Sequence, residues 1–231
     1  MATSALSALW EHKSRLWAIQ GGTRSAWYLA VNSRSGAATE FPLQGIFRHG
    51  GQLIFGATWS LDSGDGLDDV NLFVTDQGEI AVYQGTDPGS ASTWALVGVY
   101  KVGRPMGKNA FFQTGGDLII LTDDGIVPVS LAIKQDRAAL QASAITFPIE
   151  QRWRQSVSLY NGTDRAYEGL LWPQQAMLLV TVPTPAGEDP YMLIANSRTG
   201  AWARYTGWDA RCMALLGTRV FFGTSTGTVI E

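Results

Sequence analysis

Apolar residues in this chain fall into short runs cut by Gly, Asn, Asp, Ser and Thr, the pattern of many brief strands joined by tight turns. Roughly eighteen such runs can be marked. The first four span residues 15–20, 27–32, 38–43 and 52–57, and the next four span 70–75, 79–84, 94–100 and 110–113. Two more lie at 117–121 and 125–129, and after a break strands resume at 167–172, 176–182 and 191–195 and continue to residue 230.

The strands come in repeats. Asn32-Ser33-Arg34-Ser35-Gly36-Ala37 recurs with one conservative change as Asn196-Ser197-Arg198-Thr199-Gly200-Ala201, each time after an apolar run. After a short interval each leads into Leu53-Ile54-Phe55-Gly56 or Val220-Phe221-Phe222-Gly223, taken as equivalent return strands. A second unit, apolar strand, Thr-Asp-x-Gly and apolar strand, occurs at 72–82 and 119–129, with its threonines at Thr75 and Thr122, 122 − 75 = 47 residues apart. Residues 220–230 form a third copy that lacks the acid. Gly supplies the positive φ of a tight hairpin, and Thr-Asp can hydrogen-bond the turn's own backbone. A spacing of 47 residues is close to the roughly 40–50 that a four-stranded propeller blade occupies. The pattern therefore predicts a mainly all-β, β-propeller-like repeat of antiparallel blades, about four to five of them.

The break reads differently. Residues 132–143 hold strong helix formers, Pro148 stands where a first helical turn would begin, and Ile149, Trp153 and Val157 follow at i, i+4, i+8. A helical insertion at 131–158 is expected, either lying on one face of the sheets or projecting as a contact element. The 231 residues are read as a single domain spanning 1–231 and interrupted by that insertion.

Composition supports the strands: 45% hydrophobic residues, 16% charged residues and 26 glycines exclude a disordered chain. A net charge of −3 gives no basic footprint for gripping phosphates. The single cysteine, Cys212, forms no intrachain disulfide and reads as a small buried side chain. No run approaches the roughly 18 apolar residues of a helical membrane span, and no export signal is recognisable.

The chain carries few residues in catalytic or metal-binding patterns. His12 and His49 are far apart, and no Gly-x-Ser-x-Gly elbow accompanies them. His49 reads as a turn residue before Gly50-Gly51. The stretch from Gly103 to Asn109 lacks the four-residue glycine spacing and the Ser or Thr of a phosphate-binding loop. It reads as a connection between blades, with Arg104 and Lys108 as exposed contact residues. Asp62, Asp65, Asp68 and Asp69 are the weak candidates for a hard cation such as calcium, but their spacing departs from an EF-hand and an exposed acidic loop is the preferred reading. Trp17, Trp27, Trp94 and Trp202 read as inter-sheet packing, and Trp59 and Trp208, nearer loops, as ligand or interface contacts. Asp76 and Asp123 occupy equivalent hairpin turns, which favours turn geometry over a catalytic pair. Asn161-Gly162-Thr163 matches a glycosylation acceptor but, without an export signal, reads as no more than a turn. No catalytic residue, metal ligand or cofactor is assigned, and the chain is read as no enzyme.

The wording of the chain resembles the propeller part of the tail nozzle, or tail-tubular, proteins of short-tailed, podovirus-like bacteriophages. The resemblance rests on residues 55–66, 82–88, 102–108, 122–129 and 199–209, in that order, and covers the chain from about Lys13 onward. It implies a virion structural protein, made in the host cytoplasm, in a homo-oligomeric ring (a hexamer by resemblance) that conducts the genome and retains it until ejection. Partners would be neighbouring nozzle subunits and tail proteins on the adaptor and portal side, with viral DNA passing without specific binding. Such proteins are usually larger, so this sequence would be a fragment or a compact version. Loops 62–69 and 86–93 are expected as blade connections available to neighbours. The alternative is a carbohydrate-binding propeller that recognises a host surface glycan.

Overall fold

The computed structural model describes residues 3–62, 67–160, 167–185 and 187–231. It is mainly β, with five antiparallel sheets that follow one another in chain order. The first holds β1 (Leu6–His12), β2 (Arg15–Gln20), β3 (Ser25–Tyr28) and β4 (Thr39–Pro42). The second holds β5 (Leu53–Asp62), β6 (Leu67–Thr75), β7 (Glu79–Gly85) and β8 (Trp94–Lys101). The third is three-stranded, with β9 (Phe111–Thr114), β10 (Asp117–Thr122) and β11 (Gly125–Pro128). The fourth contains β12 (Glu168–Trp172), β13 (Met177–Thr181), β14 (Tyr191–Asn196) and β15 (Trp202–Thr206), and the fifth β16 (Cys212–Leu216), β17 (Arg219–Gly223) and β18 (Val229–Ile230). Every sheet is a plain up-and-down meander.

The two-residue period of a strand explains how the sheets stack. Along β6, Phe73 faces the first sheet, while Val70, Leu72 and Val74 face the third. Along β10, Leu118 and Ile120 pack on the second sheet and Ile119 and Leu121 on the fourth. Along β14, Tyr191, Leu193 and Ala195 face the third sheet and Met192 and Ile194 the fifth. Interior strands are buried on both faces, which is why they read as continuous apolar runs. Four cores therefore lie between five sheets, and no buried cluster among the described residues joins the first sheet to the last.

First strands neighbour one another: β1 lies beside β5, β9 beside β12, and β12 beside β16, while β5 abuts β10. Glycines set the spacing at two of these contacts. A Cβ on Gly56 would stand 2.3 Å from the Trp10 ring, and one on Gly169 would stand 2.5 Å from the Phe112 ring. Gly56→Val should therefore overpack the first interface and cost about 1–3 kcal/mol, read as a lower urea midpoint with secondary structure retained.

The sequence repeats land on equivalent places. All three copies of the hairpin unit, at β6–β7, β10–β11 and β17–β18, join the second strand of a sheet to its third. The two Asn-Ser-Arg phrases join third to fourth strands, β3–β4 and β14–β15. The proposed return strands are not equivalent: Leu53 opens the first strand of the second sheet, whereas Val220 lies in the second strand of the fifth. Segments 62–69 and 86–93 are also not connections between sheets. They join β5 to β6 and β7 to β8 within the second sheet. β1 begins before the first strand expected.

The insertion forms α1 (Val129–Ala132), α2 (Arg137–Ala142) and α3 (Glu150–Tyr160). Asp136 caps α2 by accepting the Ala139 N–H at 2.9 Å. Val129, Ala132 and Leu140 cover the second core, and Trp153 and Val157 enter the third, so the helices lie on the sheets. The Trp153 indole donates to the Thr122 carbonyl at 3.0 Å, fixing α3 to β10.

Candidate functional site

Three surfaces carry the candidate residues. The first is the rim where hairpin turns meet the connections between sheets. At each Thr-Asp-x-Gly turn the aspartate holds the chain entering from elsewhere. Asp76 Oδ1 accepts the Gln52 N–H at 3.1 Å, and the Asp76 N–H donates to the Gln52 carbonyl. Asp123 Oδ1 accepts the Arg104 N–H at 2.7 Å, and its own N–H donates to the Arg104 carbonyl. The same two-point clamp is thus built twice. Gly78 has φ +78, and a Cβ there would meet the Gly103 carbonyl at 2.3 Å, so turn and connection are in direct contact. Asp76→Ala and Asp123→Ala should each cost about 1–2 kcal/mol, whereas Asn, which keeps an acceptor oxygen, should cost less than about 0.5 kcal/mol. Thermal unfolding of the four variants checks this.

Arg104 and Lys108 are exposed on this rim, on the connection between the second and third sheets, as expected. Sequence reasoning missed their neighbours. Arg137 pairs with Asp124, and Gln141 donates to the other Asp124 oxygen at 2.7 Å. Lys101 donates to the Gln77 carbonyl, and burial, followed by the Arg137 cation, lowers its pKa. Glu79 is buried and accepts the Arg48 and His49 N–H groups at 2.9 and 2.8 Å, with His49 Nδ1 at 3.0 Å. Burial opposes its charge, but these donors prevail and hold the carboxyl below its ordinary pKa. The visible signal was an acid directly after a turn glycine at the head of an apolar strand.

The second surface is a groove of about 600 Å³ between the fourth and fifth sheets. Trp208 is 37% exposed there and stacks on Phe222 with ring centroids 5.8 Å apart. Trp172, Asp209 and Arg219 complete the wall. Trp59, by contrast, is 3% exposed in the core between the second and third sheets, so it presents no ring to a ligand and shares no site with Trp208. Its position in β5 places its side chain on the covered face. Trp17 and Trp94 are core residues and Trp202 packs against the third core, as expected, whereas Trp27 pairs with Ala18 on the outward face of the first sheet and is no inter-sheet packing residue.

The third surface is the outer face of the first sheet. It forms a groove of about 640 Å³ lined by Leu9, Leu16, Trp27 and Leu29 and walled by the segment 34–38.

Of the acidic candidates, Asp65 lies outside the described residues, and Asp62 and Asp68 pair through their backbones with Leu67 and Leu61 in the β5–β6 hairpin. Asp69 accepts the Ser60 hydroxyl at 2.5 Å. No group of three or more His, Cys, Asp or Glu fit to hold a metal occurs among the described residues. Asn161-Gly162-Thr163 also lies outside them. Cys212 is exposed, contrary to expectation, because it falls on the face of β16 turned away from the fourth sheet. No helix of the described residues is long and apolar enough to cross a membrane.

The class that fold and surfaces define is a mainly-β repeat protein of five stacked antiparallel sheets. No protein-family model matches the chain, and no curated protein matches it either.

Proposed function

We propose that this chain is a non-enzymatic structural subunit of a short phage tail, a propeller-like part of the nozzle ring through which the genome leaves. The observation that carries the reading is the run of five meandering sheets in chain order, with first strands side by side at three of the four junctions, a layout compatible with propeller blades. The five first strands contain neither Lys nor Arg and carry Glu11, Asp62 and Glu168. A wall of that composition gives phosphate nothing to exchange counterions with, which suits a protein that DNA passes without binding. Class averages of the purified chain test the reading. Rings of sixfold symmetry support it, and particles without a lumen wide enough for duplex DNA remove it.

A second reading, a glycan-binding propeller, is favoured by one observation: the exposed Trp208 ring beside Asp209 and Arg219 pairs an aromatic platform with polar groups. Quenching of tryptophan fluorescence by host surface glycans, lost in Trp208→Ala, would support it. An unchanged spectrum across a glycan panel would exclude it.

A further inference from the structure

The two end sheets carry the sequence of interior sheets. A meander with one solvated face alternates apolar and polar residues, whereas a strand covered on both faces does not. β2 reads Arg-Leu-Trp-Ala-Ile-Gln, and only Trp17 and Ile19 point to the second sheet. Leu16 and Ala18 lie on the opposite face, where cross-strand pairing sets Leu9 and Trp27 beside Ala18. At the other end Met213, Val220 and Phe222 pack on the fourth sheet. Pairing of Ala214 with Phe221, Leu216 with Arg219 and Gly223 with Val229 builds a second, outward face. Leu9 is 59% exposed, and Leu216 and Val229 are each 73% exposed, so the two faces do not cover one another within one chain.

We propose that the outward face of the fifth sheet of one copy packs on the outward face of the first sheet of a second copy, head to tail. Each internal core is made by the following-side face of one sheet and the preceding-side face of the next. The first sheet leaves a preceding-side face open and the fifth a following-side face. Contact between copies therefore continues an interface the chain already builds four times. A repeat stack normally ends in polar caps, and among the described residues the outward faces of both end sheets are apolar instead. The contact is heterologous, so it closes into a ring or extends as a filament. It deepens the ring reading above by naming the surfaces, yet it stands on the sheet stack alone.

Complementation tests it. Leu9→Glu spoils one face and Leu216→Glu the other, and both sites are exposed, so folding, checked by circular dichroism, should be unaffected. Wild type should self-associate in light scattering with rising concentration. Each variant alone should run as a monomer, and their equimolar mixture should give twice the monomer mass and nothing larger. Polarity is read independently by cross-linking. With its one cysteine the wild-type chain can form at most disulfide dimers, whereas Leu9→Cys, which retains Cys212, should give a ladder beyond the dimer under mild oxidant. Three outcomes would overturn the proposal: a wild-type chain monomeric up to its solubility limit, a mixture that stays monomeric, or a fast-migrating internally bridged monomer in place of the ladder. Sixfold rings without the ladder would keep the tail reading and remove this interface. A ladder from open filaments would do the reverse.

Discussion

Replacing Trp17 with alanine should destabilise the protein by about 3–5 kcal/mol, the largest loss expected from a single truncation in this chain. Trp17 is 0% exposed and is the hub of the first inter-sheet core. Its ring stacks on Trp94 at 5.7 Å and on Trp10 at 6.0 Å, and the edges of Phe41 and Phe73 close on it at 5.8 and 5.5 Å. These neighbours come from four strands, β1, β4, β6 and β8, so none can move into the void without leaving its own register. The cavity would stay open and the full cost would be felt. Urea unfolding should show a lower midpoint. Because each sheet packs mainly on its neighbours, amides of the first sheet should also lose hydrogen-exchange protection ahead of the fourth. Trp27→Ala, on the outward face of the same sheet, should cost less than about 1 kcal/mol. Equal losses from the two tryptophans would mean that the outward face is as fully packed as the core.

That contrast shows what the sequence made legible. Turn chemistry was plain: Thr75-Asp76-Gln77-Gly78 and Thr122-Asp123-Asp124-Gly125 fall where a strand must reverse, and both reverse. The helical insertion was plain as well, because Trp153 and Val157 recur at helical spacing beside a proline. Partnership between strands was not. The likeness of Leu53–Gly56 to Val220–Gly223 reflects a shared need for apolar residues and a close-approach glycine, which first and second strands both have. β1 escaped notice because Ser7, Glu11 and His12 interrupt its apolar run, although its pairing with β2 is continuous from Ala8 to His12. Trp59 misled because a loop-like acidic stretch follows it. The hairpin extends past it, and β5 and β6 carry the ring into the core. Cys212 misled in the opposite direction, since an apolar run at an end sheet does not tell which of its faces is covered.

Acid should expose the cost of burying His12. The imidazole is 1% exposed at the end of β1, with its edge toward Trp94 at a centroid distance of 5.8 Å. Nδ1 lies 3.1 Å from the Thr58 hydroxyl, and that hydroxyl donates to the Glu11 carbonyl at 2.6 Å, so it can only accept from the ring. The proton therefore sits on Nδ1, and Nε2 is left buried without a partner among the described residues. Protonating Nε2 would create a cation with nothing to receive its hydrogen. Burial, reinforced by the Lys13 charge and only partly offset by Asp69, lowers the pKa from 6.5 to about 4. The unfolded chain takes up this proton near pH 6.5 and the folded chain only near 4, so stability from this group is complete above pH 6.5 and falls as pH drops between the two values. The total loss approaches about 3 kcal/mol at 1.4 kcal/mol per unit. Glu79 adds its own loss in more acidic solution, so the diagnostic window is pH 5–6.5. Urea midpoints there should fall steadily for the wild type and stay nearly level for His12→Gln, which can still donate to Thr58 but cannot charge. A parallel slope in both proteins would place the protonation elsewhere and show that His12 is charged, or solvated, in the folded state.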